Sequence, residues 1–298
     1  MAGAVSLAEL TDPAFLTQVG RLRLVARNVP PGGRFADQRS NEKGAGIEFL
    51  DHRGYAPGDD LRKVDWHLYK RLGKLFVRQF EELEDLPVYL LPDTSQSAFH
   101  GDPPRARAGI FVAAALASVA LSQHDKVGVM PFAQELELGM PPTAGAGRLV
   151  QVMRTLADLK PAGGTDLVAS LKRFGGLGLR RGLAVVISDL FDPAGAEAVT
   201  RALSGLRHRV LVVQLVRATD RDPGLSGEAR LVDCEGGGAA DVSITPAVLA
   251  RYRDAYDRFQ HTIASFAGDR GHGLVQVDAD APVIGQLTNL FPGGRLLV

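Results

Sequence analysis

The spacing of apolar and polar positions changes character near residue 85. Before it, Leu10, Phe15, Val19, Leu22 and Val25 recur at helical spacing, which predicts one or two helices over residues 7–28. Residues 28–43 are rich in Pro, Gly and polar side chains and read as a linker. Residues 47–55 and 75–80 alternate as strands do, with a turn expected at Ala56-Pro57-Gly58-Asp59 between them. From Leu86 onward, short apolar runs alternate with helical segments. Strands are expected at 86–91, 126–132, 135–138, 183–187, 209–216 and 273–277, and helices at about 104–122, 147–158, 166–174, 193–206 and 246–268. Residues 183–187 are aliphatic throughout, as a central parallel strand should be, whereas 135–138 is brief and charged and suits an edge.

Strands that alternate with helices of this length predict an α/β fold with a doubly wound, mostly parallel sheet. A small α+β appendage precedes it. The expected organisation is therefore residues 1–84 as appendage and 85–298 as the α/β domain, with the Gly-rich stretch 217–245 as an inserted hairpin or loop.

Composition narrows the function classes. The 34 basic and 34 acidic side chains cancel, which argues against a protein that coats nucleic acid or a membrane surface. The apolar fraction of 45% supplies a sizeable core, and the single Cys234 excludes an intramolecular disulfide or a multi-thiolate metal cluster. The seven His residues show no HxH or HExxH spacing, so a zinc site is not expected. No Walker-type or GxGxxG loop follows a predicted strand, and no GxSxG elbow occurs. The start of the chain lacks the basic and apolar regions of a secretory signal. The longest uncharged stretch, 108–123, falls short of the ~20 residues that span a bilayer and reads as a buried helix. A cytoplasmic location follows as an expectation.

In open α/β sheets, ligands bind beyond the carboxyl ends of the strands. Asp93-Thr94-Ser95-Gln96-Ser97 follows the first of those strands, Gly163-Gly164-Thr165-Asp166 opens a helix, and Ser188-Asp189 follows the fourth strand. The candidates Asp93, Ser95, Ser97, Thr165 and Asp189 are all hard oxygen donors, which suit Mg2+ or Mn2+. Two carboxylates and three neutral hydroxyls balance a divalent charge without excess, which leaves such an ion able to take a carboxylate from a partner. Each hydroxyl alone is explicable as a helix cap. Their joint arrangement with two carboxylates favours ligation.

This pattern resembles the metal-ion-dependent adhesion site of von Willebrand factor A domains, whose signature is DxSxS, then Thr, then Asp on three loops. The resemblance implies a von Willebrand factor A-like fold with Asp93, Ser95, Ser97, Thr165 and Asp189 as the ligand set. A second resemblance lies upstream, in Arg53-Gly54-Tyr55, Pro57-Gly58-Asp59-Asp60, Arg62, Asp65-Trp66 and Val77-Arg78-Gln79-Phe80-Glu81. These residues, with Ser188-Asp189-Leu190-Phe191, look like the hallmark of the bacterial domain-of-unknown-function fifty-eight family. That family implies partnership with a MoxR-type AAA+ ATPase or its client, in chaperone-like assembly or maturation, and no known reaction.

Asp59, Asp60, Arg62, Asp65 and Trp66 form a second constellation. It reads either as an ion-paired turn anchored by Trp66 or as a docking surface for a partner. Two functions therefore stand side by side. One is a non-enzymatic, metal-dependent protein-binding module. The other is a metal-dependent phosphohydrolase using Asp93, which is weakened because position 95 is Ser rather than a second acid and no Lys stands at residues 188–190.

Overall fold

The structure is a computed structural model and describes residues 4–28, 46–57, 59, 64–83, 87–268 and 272–290. The chain divides into two compact units, Asp37–Asp85 and the remainder. Along the chain come α1 (Leu7–Leu10), α2 (Pro13–Asn28), β1 (Gly46–Gly54), α3 (Trp66–Leu72) and β2 (Phe76–Leu83). There follow β3 (Pro87–Pro92), α4 (Arg105–Ser122), β4 (Lys126–Val129), β5 (Met140–Thr143), α5 (Leu149–Ala157) and α6 (Leu167–Gly176). Then come β6 (Leu183–Ser188), α7 (Ala196–Ser204), β7 (Arg209–Val216), α8 (Ala218–Arg221), β8 (Gly227–Val232) and β9 (Ala239–Ile244). The last three are α9 (Pro246–Gly268), β10 (Gly273–Asp278) and α10 (Val283–Leu290).

The larger unit is built on a six-stranded sheet in the order β10-β7-β6-β3-β4-β5, parallel except for the antiparallel edge strand β5. This is the expected α/β class with a doubly wound, mostly parallel sheet. Period-two alternation explains why the sheet needs helices on both faces. Val88, Leu90, Val185, Ile187, Leu211 and Val213 point into one core, which they share with α4, α5 and α10. Tyr89, Leu91, Ala184, Val186, Val210 and Val212 point into the other, with α6, α7 and α9.

Gly109 lets α4 lie close to the sheet, because a Cβ there would come within 3.3 Å of Leu215 and Ile187. Among the described residues α4 is the one helix long and apolar enough to cross a membrane, and 78% of it is buried in the fold. It begins three residues before the uncharged stretch, at Arg105, and matches the helix expected at about 104–122.

Three expectations need correction. The domain boundary near residue 84 does not hold for the N-terminal helices, which belong to the larger unit. Val5, Leu10, Phe15, Val19 and Leu22 join the core around α4, where Phe15 meets Phe111 edge-on at 5.1 Å between centroids. Their apolar stripe was visible, but the surface that covers it lies about a hundred residues away in sequence.

The edge strand is Met140–Thr143 rather than 135–138. Leu136 folds back to bridge Phe132, and Val127 and Val129 pair with Thr143 and Met140 instead. Two prolines, Pro141 and Pro142, made that segment unlike a strand, yet an edge strand tolerates them on its unpaired side. The third correction is α10, which had no expectation and buries Val283, Ile284 and Leu287.

The inserted segment does contain a hairpin, β8–β9, paired from Gly227↔Ile244 to Val232↔Ala239. In the smaller unit β1 and β2 pair antiparallel, with a bulge between Phe49 and Asp51. The link between them is longer than the expected turn and contains α3. The linker expected at 28–43 falls almost wholly outside the described residues.

Candidate functional site

After β3 the chain moves outward to β4 and β5, then returns to lay β6 on the other side of β3. The carboxyl ends of β3 and β6 therefore flank the point where strand order reverses, which is where open α/β sheets bind ligands. Asp93 follows β3 and Asp189 follows β6.

The first loop continues β3 by a bridge to Phe132, with the Thr94 amide and hydroxyl both donating to the Phe132 carbonyl at 2.7 and 2.9 Å. Asp93 is buried at 8% exposure. Its Oδ1 accepts from the Ser95 amide at 2.9 Å, and its Oδ2 from the Ser188 hydroxyl at 2.6 Å. The Ser95 and Ser97 hydroxyls lie 3.0 Å apart.

The second loop is laced to the first by Gln96 N to Gly163 O at 2.8 Å and Ala162 N to Thr94 O at 2.9 Å. Gly163 takes a φ of +98°, a backbone position suited to glycine. Asp166 caps α6, α4 begins at Arg105 with no side-chain cap from Pro104, and the Ser95 hydroxyl accepts from the Ala98 amide at 3.4 Å within its own turn. None of the three candidate hydroxyls caps those helices.

In the third loop, Ser188 Oγ also accepts from the Leu190 amide at 3.0 Å, and Leu190 adopts a left-handed φ of +68°. That conformation is uncommon for a branched residue and marks a tightly held turn. Asp189 Oδ1 accepts from the Phe191 amide at 3.0 Å, while Oδ2 pairs with Arg105 at close range.

The electrostatics follow from burial. Desolvation first, and then the neighbouring Asp189 carboxylate, push the Asp93 carboxyl up to about 6, against hydrogen bonds from Ser188 and Ser95. Burial also raises Asp189, and Arg105 partly offsets it. Arg105 bridges Asp189 to Asp220, its second bond being 2.6 Å, and the two carboxylates outweigh burial to hold its charge. A cavity of about 10 Å³, room for one water at most, lies beside Asp93, Arg105, Ser188 and Asp189.

The structure therefore gathers all five candidate residues onto three adjoining loops. Among the described residues, no three His, Cys, Asp or Glu side chains form a metal cage. The donor set is instead two carboxylates and three hydroxyls, with Asp189 raising the affinity of Asp93 for positive charge and Arg105 already balancing Asp189. That chemistry fits a hard divalent ion, which takes one or two carboxylates and keeps water.

Sequence reading missed four participants: Arg105, Ser188's bond to Asp93, Asp220 and Glu235. Glu235 stands between β8 and β9 and accepts from the Thr165 amide and hydroxyl, both at 2.8 Å, and from the Ser97 amide at 3.3 Å. Burial opposes its charge, but the hydrogen bonds from Ser97 and Thr165 win and keep its carboxyl below the usual range. An acidic residue within the Gly-rich run Asp233-Cys234-Glu235-Gly236 was the available signal.

The second constellation is divided. Asp65 is buried and caps α3, accepting from His67 and Leu68 amides at 3.0 and 3.1 Å and lying 3.0 Å from His52 Nε2. Its role is structural, which removes it from the docking set. Asp59 closes its own turn, accepting from the Ala56 amide at 2.8 Å. Trp66 is 53% exposed, with Tyr69 edge-on beside it at 6.1 Å, so it does not act as a buried anchor. Asp60 and Arg62 lie outside the described residues.

Several known proteins are similar to this chain. An uncharacterized protein of Mycobacterium tuberculosis is 29% identical over 292 residues, which span 96% of this chain and 92% of that protein. The magnesium-chelatase 60 kDa subunit of Cereibacter sphaeroides is 29% identical over 203 residues, 61% of this chain and 35% of that subunit. Among solved structures, the BatB protein of Bacteroides thetaiotaomicron shows 17% identity, covering 72% of this chain and all of that one, with a TM-score of 0.42. The SpRpn10 VWA domain shows 12% identity over 68% of this chain and 94% of its own, also with a TM-score of 0.42. The fold assignment rests on strand order, not on these two likenesses. The family model described as "Protein of unknown function DUF58" matches residues 51–262, and the chain belongs to that family.

Proposed function

We propose that this chain is a protein-binding module that uses a divalent cation, Mg2+ or Mn2+, to engage an acidic side chain of a partner. The observation that carries this reading is the convergence of the Asp93 and Asp189 carboxylates with Ser95, Ser97 and Thr165 at the switch point of the sheet. Asp93, Ser95, Ser97, Thr165 and Asp189 would hold the ion. When bound, it supplies a Lewis-acidic position for a carboxylate oxygen.

The chain's own residues do the rest. Ser188 and the Ser95 amide fix the Asp93 carboxylate in one orientation. Arg105 balances Asp189 and ties it to Asp220. The Ser95–Ser97 contact keeps two hydroxyls side by side with lone pairs available. A MoxR-type AAA+ ATPase or its client is the partner we infer, in chaperone-like assembly or maturation. The similar magnesium-chelatase protein is, by its name, a subunit of a larger enzyme, and this agrees with a module that works in an assembly.

Binding is favoured over phosphoryl chemistry by the residue types at the site. Position 95 is Ser where that chemistry wants a second acid, and no Lys stands at residues 188–190. Isothermal titration with MnCl2 should give saturable binding that Asp93→Ala abolishes, with no hydrolysis of a generic phosphate ester by either protein. Unchanged affinity in Asp93→Ala would sink the assignment. Co-purification with a MoxR-type ATPase should be lost when EDTA is added.

A further inference from the structure

The hairpin inserted between β7 and α9 ends on a turn built to present one carboxylate. The Asp233 side chain accepts from the amides of Glu235 and Gly237 at 2.8 and 3.0 Å, and the Asp233 amide donates to the Gly238 carbonyl at 2.9 Å. Gly236 and Gly238 supply the left-handed backbone, with φ of +94° and +105°, that this tight reversal requires. The fold of the tip therefore fixes Glu235 in place before it meets anything else.

What it meets is the candidate site. The Glu235 carboxylate takes three hydrogen bonds from two of the three site loops, namely the Thr165 amide, the Thr165 hydroxyl and the Ser97 amide. These are two of the five candidate ligand residues. The Thr165 hydroxyl gives its proton to Glu235, which leaves both oxygen lone pairs for a cation. A carboxylate held there by a covalent tether competes with any acidic side chain arriving from outside.

We propose that Glu235 is a built-in carboxylate ligand that occupies the position of the partner's acidic residue, so that the β8–β9 hairpin must lift before a partner can bind. The inference rests on the metal-dependent reading of the five residues and adds a regulator to it. The tether lowers apparent partner affinity by the fraction of molecules with the hairpin raised. Whatever pulls on the hairpin then opens the site without altering its ligands.

The test uses Mn2+ as probe and acetate as the simplest external carboxylate, with water-proton relaxivity reporting the water left on the bound ion. Wild type should bind Mn2+ with low relaxivity that acetate leaves unchanged. Glu235→Ala should show higher relaxivity, which acetate then lowers, and a loss of Mn2+ affinity of roughly tenfold, as for other supporting groups at metal sites. Glu235→Gln keeps a carbonyl acceptor but no charge, so it guards against collapse of the turn and should match Glu235→Ala in its response to acetate. If Mn2+ binding depends on Asp93 but wild type and both Glu235 variants respond alike to acetate, the inference is overturned and the site reading survives. If wild type does not bind Mn2+, both fall together.

Discussion

Asp93 shows how much of a residue's behaviour is set by its neighbours. Its carboxyl is raised by burial and by Asp189, yet Ser188 and the Ser95 amide hold it in place. Ser188→Ala should leave a buried carboxylate oxygen short of a donor and cost about 1–3 kcal/mol of stability, measurable by urea denaturation. His208 makes a different test. It is buried against the rings of Tyr89 and Phe174, at 5.1 and 4.9 Å, and burial, then Arg181, hold its pKa below the ordinary value. The unfolded chain therefore binds this proton more readily, so stability should fall as pH drops below about 6.5. His208→Phe should flatten that part of the melting temperature profile between about pH 7.5 and 5. The five candidate oxygen donors were legible because they lie in segments that follow a strand or lead into a helix. Arg105 was not, because nothing local distinguishes it from other charged residues, and Glu235 had only its place in a Gly-rich run to mark it until the fold brings its partners near.

At the scale of elements, the pattern of apolar residues predicted most helices and strands, and it failed where a partner decides the outcome. Met140–Thr143 is a strand only because β4 offers it an edge. The helix α1 is short and owes its place to α4: Glu9 closes a capping box with Ser6 and pairs with Arg107 at 2.6 Å. Hydrogen bonds from the Ser6 amide and hydroxyl, then Arg107, lower the Glu9 carboxyl to about 2. Because the folded state releases this proton more easily, the contact stabilises fully above about pH 4.5 and fades as pH falls toward 2. Glu9→Gln should therefore lower the melting temperature at pH 7 more than in strong acid. A second case is Gly182, at the start of β6, where a Cβ would overlap the Pro87 carbonyl oxygen at the start of β3. Gly182→Ala should cost about 1–3 kcal/mol in denaturant unfolding, because two central strands must part to admit one methyl.

At the scale of the molecule, the larger unit is assembled from segments on both sides of the smaller one. A chain cut at residue 85, where the hydrophobic pattern changes, would strip Leu10, Phe15, Val19 and Leu22 from the core around α4. Such a fragment should melt well below the full chain and expose apolar surface that binds a hydrophobic dye, whereas a cut that spares α1 and α2 should not. What the sequence determined by itself was local: the period-two runs, the helical stripes, the oxygen donors that follow strand ends, and hence the α/β class and the candidate ligand set. Periodicity and turn chemistry act between residues a few positions apart, so one chain read in order reveals them. What only the tertiary structure decided was pairing at a distance: the edge strand, the docking of α1 and α2, the Arg105 bridge and the Glu235 carboxylate among the site's hydroxyls. Those contacts join residues 70 or more positions apart in the case of Glu235 and Thr165, and they exist only once the sheet has set the loops side by side.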